Sequence, residues 1–292
     1  MLLKPALACS ILASGIAVAQ NTFSNIDAAN VDVTYSSGMD FETGPGELHA
    51  TTFNARSFLG QPWELAGDWK LASELRYRAT FLDGEGLAPG FPFNDETLQT
   101  ISLRETLLRI SPNSPWIYGG WAQASLSSDF QDLGGDAFLF DIGLGGGYKF
   151  NDRFTFLLMA SVLDLNGDTT FMPGIGLDWQ ISDCVSMTIF GPSIVTAYRP
   201  NEDWRFSLKA ESGGGVWNID GRAGRSERLE FRSHQIGLHA ERRLAENWWL
   251  DVGAGISINN KIELGSTSGI TNFKDHLDDG WFITAGVRLA AW

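Results

Sequence analysis

Between residues 203 and 216 apolar and polar side chains alternate one by one. Trp204, Phe206, Leu208, Ala210 and Val216 share one parity; Asp203, Arg205, Lys209 and Glu211 share the other. A period of two is that of a strand, whose successive side chains leave opposite faces. A tilted strand crosses a bilayer in about ten residues. The same pattern recurs along the chain. Trp69, Leu71, Leu75, Tyr77 and Phe81 oppose Lys70, Glu74, Arg76 and Arg78. Phe138, Phe140, Ile142 and Leu144 oppose Asp141 and Lys149, and Leu177 and Trp179 oppose Asp178. Near the C-terminus Ile236, Leu238 and Ala240 oppose His239, Glu241 and Arg243. Trp248, Leu250 and Val252 then oppose Asp251, and Trp281, Ile283 and Val287 oppose Arg288. One apolar and one charged face, repeated this often, predict an all-β chain: a transmembrane antiparallel up-and-down β-barrel.

Connections set the strand number. Short turns fall near Gln61, Pro112, Asp152, Asp183, Pro200 and Glu246, and longer loops near Gly44, Glu85, Gly134, Gly167, Arg225 and Gly269. Outer-membrane barrels keep short turns on one rim, long loops on the other, and an even strand count. The rule holds if Gly191-Pro192 splits one long apolar run, since proline has no ladder donor. It predicts about 14 strands, or 12 if the weak N-terminal hairpin is lost. Residues 261–279 read as a long loop. Trp63, Trp116, Phe150, Phe154, Trp204 and Trp248 flank the short turns, where membrane-interface aromatics belong.

The N-terminus changes the compartment. Lys4, an uncharged apolar run from Pro5 to Val18 and the small residues Ala17-Val18-Ala19 read as a signal peptide, 1–19, leaving a barrel domain over 20–292. The expected location is the outer membrane of a Gram-negative envelope. Outer-membrane lipid and the barrel-assembly machinery are the expected partners. Without that segment only Cys184 remains, so no intrachain disulfide can form. A formal charge of −14 disfavours nucleic acid as a partner.

With lipid on the apolar side, the opposite parity lines the lumen. The candidate pore-lining set is Lys70, Glu74, Arg76, Arg78, Asp141, Lys149, Asp178, Arg205, Lys209, Glu211, His239, Glu241, Arg243, Asp251 and Arg288. Both signs are present, which fits a water-filled passage that biases solute entry. The competing reading is a closed interior of paired charges. Gly143, Gly145, Gly147, Gly253 and Gly255 share the inward parity and suit close approach of other chain segments. His239 and Glu241 share a face, yet no convincing nucleophile lies near them, so a hydrolase ranks third. Asp275, Asp278 and Asp279 lack the spacing of a calcium loop, and no metal or cofactor is expected.

The runs SSDF (127–130), FMPGIGLDWQISD (171–183) and FGPSIVTAYRPNEDWRFSL (190–208) add a resemblance. Over residues 116–262 the chain resembles a family of outer-membrane barrels known only as a domain of unknown function, through its Pro-Gly-Ile-Gly and Tyr-Arg-Pro-Asn steps. The resemblance implies a barrel and carries no catalytic residues. The expected function is a passive, porin-like channel for small polar solutes and not an enzyme. The alternatives are a non-conducting structural or adhesion barrel and, third, an outer-membrane lipid hydrolase.

Overall fold

The computed structural model of the protein describes residues 27–87, 95–131, 133, 135–165, 168–220, 226–266 and 271–290. The expected signal segment lies outside the described residues. In chain order the strands are β1 (Asp27–Asp40), β2 (Glu47–Phe58), β3 (Trp63–Glu64), β4 (Trp69–Glu85) and β5 (Glu96–Ile110). Then come β6 (Trp116–Ser128), β7 (Phe138–Asn151), β8 (Phe154–Leu165), β9 (Asp168–Gln180), β10 (Val185–Phe190) and β11 (Ser193–Tyr198). The last five are β12 (Trp204–Asp220), β13 (Ser226–Arg243), β14 (Trp248–Ser266), β15 (Thr271–Leu277) and β16 (Gly280–Ala290).

Fourteen of these close into one antiparallel cylinder. β13 bonds β14, β14 bonds β16, and β16 bonds β1 with Trp281 opposite Ser37. β3 only lengthens the β4 edge, and β15 only the far half of β14. The Gly191-Pro192 split holds: Gly191, at φ 58°, turns β10 back on β11, with Phe190 opposite Ser193. Outside the cylinder the apolar parity stays uncovered; Leu144 and Leu238 are 69% and 70% exposed, and Ile142, Leu158, Ile175 and Ile283 are exposed as well. So broad an apolar belt is untenable in water and required in hydrocarbon, where a closed ladder also satisfies the backbone. No described helix is long and apolar enough to cross a membrane.

Toward the long-loop end, here the outer end, the wall is rebuilt with fewer strands. Asn218 of β12 pairs in parallel with Ser128 of β6, so five strands, β7 to β11, are left out. Across the opposite seam Leu277 of β15 bridges Phe41, Asp278 N–H donates to the Asp40 carbonyl (2.8 Å), and Glu42 N–H to that of His276 (3.0 Å). The result is a narrower ring of β1, β2, β4, β5, β6, β12, β13, β14 and β15. Leaving out an odd number of strands brings two rising strands together, which is why this one contact is parallel. The narrow ring is filled. Met39, Leu48, Leu82, Leu98, Trp217, Leu229, Phe231 and Ile262 form a buried apolar cluster inside it. Thus 261–279, expected as a loop, contains the end of β14 and all of β15. The alternation is interrupted at the irregularity near Asn259 (φ 52°), after which the even positions Asn260, Ile262 and Leu264 are the buried ones.

Candidate functional site

Below the outer cluster the inward positions are charged, and the ladder register sets them in rows. Arg78, Asn54, Asp32, Gly286, Asp251, Glu241 and Arg205 form one row across seven strands. Arg78 Nε donates to Asn54 Oδ1 (3.0 Å), and Asn54 Nδ2 to Asp32 Oδ2 (2.9 Å). Arg288 bridges Glu241 Oε2 (2.5 Å) and Asp27 Oδ1 (2.9 Å), with Arg205 3.7 Å from the same Glu241 oxygen. Asp251 accepts from Lys209 Nζ at 2.8 Å and lies 3.1 Å from His239 Nδ1. Glu74 pairs with Arg76. Asp141 accepts from Gln123 (3.4 Å) and Asp178 from Thr188 (3.4 Å).

The structure separates the fifteen sequence candidates into two groups. Lys70, Lys149 and Arg243 stand at the short-turn rim, facing the turn acids Glu64 (3.8 Å), Asp152 (2.8 Å) and Asp203 (3.4 Å). The hydrogen bond from Lys149 holds the Asp152 carboxyl below its ordinary range. The other twelve lie on the inner wall. Sequence reasoning missed Asp27, Asp32 and Arg56, although Asn30 and Asp32 alternate legibly with Val31 and Val33. It also missed Trp249, which is buried with the Arg288 guanidinium 4.9 Å from its ring centre. The adjacent residues Arg104 and Glu105 left the phase of β5 ambiguous. Arg104 turns inward, 4.3 Å from the Trp121 ring centre, while Glu105 turns outward and accepts from Ser73 (2.7 Å).

Two guanidiniums in this lumen make no close ion pair, although Glu74 lies directly across the ladder from Arg104 and Asp32 shares the row of Arg78. Among the described residues neither Arg78 nor Arg104 has a carboxylate within ion-pair distance, and Arg104 Nε is buried without a hydrogen-bond partner. Arg78 remains exposed although it points inward, as does Glu211. The inward glycines have a packing role. The Trp121 indole lies over Gly143, Leu157 over Gly147 and Gly176, His239 over Gly253 and Phe282 over Gly255, so large side chains lie flat against a bare wall.

One catalytic arrangement needs weighing. Ser207, His239 and Asp251 face inward on β12, β13 and β14, with Ser207 directly opposite His239. Ser207 is the nucleophile type that the sequence reading did not find. Its Oγ, however, is buried and makes no hydrogen bond, while the His239 ring leans the other way, over Gly253 and against Asp251. A triad needs a direct contact between hydroxyl and imidazole, and Ser207 and His239 make none.

On the outside, rings touch in series along the short-turn rim. Trp116 meets Tyr148 (4.9 Å between centres), Tyr148 meets Phe150 (5.0 Å), Phe150 meets Phe154 (5.4 Å) and Phe154 meets Trp179 (6.2 Å). Trp204 stacks on Phe206, and Trp63 and Trp248 are exposed near the same rim.

No curated protein matches the sequence. Among solved structures the chain is similar to the COG4313 outer membrane channel from Pseudomonas putida F1, with TM-score 0.44 and 11% identity over 91% of this chain and 96% of that one. It is also similar to the P. putida toluene transporter TodX (0.36, 8%, 93% of each chain) and to the KdgM porin (0.33, 10%, 90% and 99%). These likenesses are distant, and no residue role passes from those proteins to this chain. Residues 107–290, well over half the sequence and running from β5 through β16, match the family described as Domain of unknown function (DUF6268), and the chain belongs to that family.

Proposed function

We propose that this protein is an outer-membrane channel for small polar or charged solutes, with its outer mouth covered by its own apolar tier. One observation supports this above the others: a closed cylinder with a lipid-suited exterior has water-exposed charges, Arg78 and Glu211, on its inner wall. The series of rings at the short-turn rim suits a membrane interface. On this reading the inner-wall charges are pore-lining, membrane lipid is the partner outside, and the assembly machinery inserts the exported chain. The test is conductance of refolded, heat-modifiable protein in a planar bilayer. Discrete current steps are expected. A flat baseline with folded protein removes the channel reading and leaves a non-conducting barrel acting through its outer tier.

The inward set of Ser207, His239 and Asp251, on three adjacent strands, prompts a second reading, a hydrolase. A fluorophosphonate probe separates the two, because it labels only an activated serine. No labelling is expected. Labelling that disappears in Ser207→Ala would establish the hydrolase.

A further inference from the structure

The lipid-facing wall carries a charged side chain within its apolar belt. Glu105 points outward on β5, five residues from the end of that strand at Ile110. That is about 16 Å along the strand and, at the usual tilt of about 40°, roughly 12 Å in height, inside a belt about 25 Å tall. Two positions to either side of it on the same strand, Leu103 and Leu107 are exposed. Among the described residues no other charged side chain stands between two exposed apolar ones in this way. Its cross-strand neighbours are Ser73 on β4 and Ala122 on β6. Ser73 Oγ donates to Glu105 Oε2 at 2.7 Å, and among the described residues this is its only hydrogen bond or ion pair. Arg109, the next outward cation on β5, is four residues away at the short-turn rim.

Beside Glu105 the wall is hollow. Gly120, Ala122 and Ala124 take outward positions on β6, between the leucines of β5 and a ridge on β7. That ridge is Phe140, Ile142 and Leu144, all more than half exposed. The small residues leave a groove of about 500 Å³, walled by Leu71, Glu105 and Leu107 on one side and Leu144 on the other, with Tyr118 toward the rim. An acyl chain fits such a groove but offers Glu105 no hydrogen-bond donor. A carboxyl group in hydrocarbon is costly without a second polar partner, and that partner has to stand at the same depth. A second copy of the chain, related by a two-fold axis along the membrane normal, brings one by symmetry, since every residue has its equivalent at equal height. The same rotation sets each β7 ridge against the other copy's groove, where small residues let the two walls approach.

We propose that this face, from β4 to β7, joins two copies of the chain within the membrane, with their Glu105 carboxyls meeting at the axis. Like charges in contact do not both ionise, so the two carboxyls share a proton, while each Ser73 keeps its own bond to Glu105. The contact needs a membrane-spanning wall and does not need conduction, so it stands or falls apart from the channel reading.

The experiment labels the exposed Cys184 of the exported chain with a donor or an acceptor maleimide. The two pools are mixed and inserted into phosphatidylcholine vesicles, with folding checked by heat-modifiable migration. Energy transfer that persists on dilution with lipid is expected. Ala122→Phe, which fills the groove, and Glu105→Leu, which removes the polar pair, are each expected to lower the dimer fraction several-fold. Glu105→Gln, whose amides can pair with each other, keeps it. Ala254→Phe makes the same change as the groove variant at an exposed position of β14 and leaves the fraction unchanged. Loss of transfer on dilution, or equal loss in Ala122→Phe and Ala254→Phe, overturns the proposal. A dimer fraction unchanged or raised in Glu105→Leu overturns it as well, because Glu105 then lies outside the contact. Monomers that retain a lipid in native mass spectrometry, and lose it in Ala122→Phe, assign the groove to lipid and also overturn it. Should Ala122→Phe fail to fold, the two substitutions at Glu105 still decide.

Discussion

The two halves of this interior are built on the same strands with opposite chemistry. β1 contributes Asp32 to the lumen and Met39 to the outer cluster; β4 contributes Arg76 and Leu82; β12 contributes Arg205 and Trp217. The difference follows from ring size. Fourteen strands enclose more space than side chains fill, so water and ion pairs occupy it. Nine strands, closed by the Asn218–Ser128 contact, enclose what Leu, Met and Trp can fill, and there burial of apolar surface is the stabilising term. Position in the ring, more than residue parity, decides whether an inward site is wet.

Several substitutions break one half and spare the other. The largest effect is expected for Trp217→Ala, which empties the centre of the outer cluster and costs about 3–5 kcal/mol. Hydrogen exchange should quicken at 216–219 and 227–231 and stay slow at 204–210. Uniform quickening would mean that the two tiers unfold as one. Next is Glu241→Gln, which removes the ion-pair partner of Arg205 and leaves Arg288 with Asp27 alone, in a part of the lumen where all three side chains are largely buried. Removing one partner of such a cluster costs about 3 kcal/mol. It should lower the urea midpoint of the barrel while 216–219 keep their protection. Gly214→Ala strikes the junction itself: φ is +87° and a Cβ would collide with the Phe231 carbonyl. The strain is about 1–3 kcal/mol, and the bilayer current should become noisier as β12 loosens from β6.

Asp152→Asn lies outside both tiers and should leave the urea midpoint unchanged at pH 7. Because Lys149 depresses the Asp152 pKa, whatever stability this pair contributes is present at neutral pH and is lost as pH falls through the depressed value. The group is fully exposed, so the unfolding curves of the variant and the parent should coincide across that range. A clear separation would mean that the rim turns are coupled to the wall.

The cylinder was legible because its signal is local. A strand that separates lipid from water shows its two faces in any ten-residue stretch, and Gly191-Pro192 marked the one turn hidden in an apolar run. The outer tier was not legible, for two reasons. Beyond Asn259 the alternation shifts phase, so Asn260, Ile262 and Leu264 no longer matched Asp251 and Gly253. The contact that closes the narrow ring joins residues 128 and 218, for which no neighbouring residue gives a cue. The charged wall was read well where a strand is thoroughly amphipathic, as in β4, β12 and β13. It was read poorly where one face is small, as in β1, or where like neighbours disguise the faces, as in Trp248 and Trp249.

The apolar cover draws Met39 and Leu48 from one end of the chain and Ile262 and Leu277 from the other. It cannot condense until β1 and β16 have met, because those residues belong to opposite sides of that seam. Completing the cover over the outer mouth therefore requires the seam between the first and last wall strands to be closed.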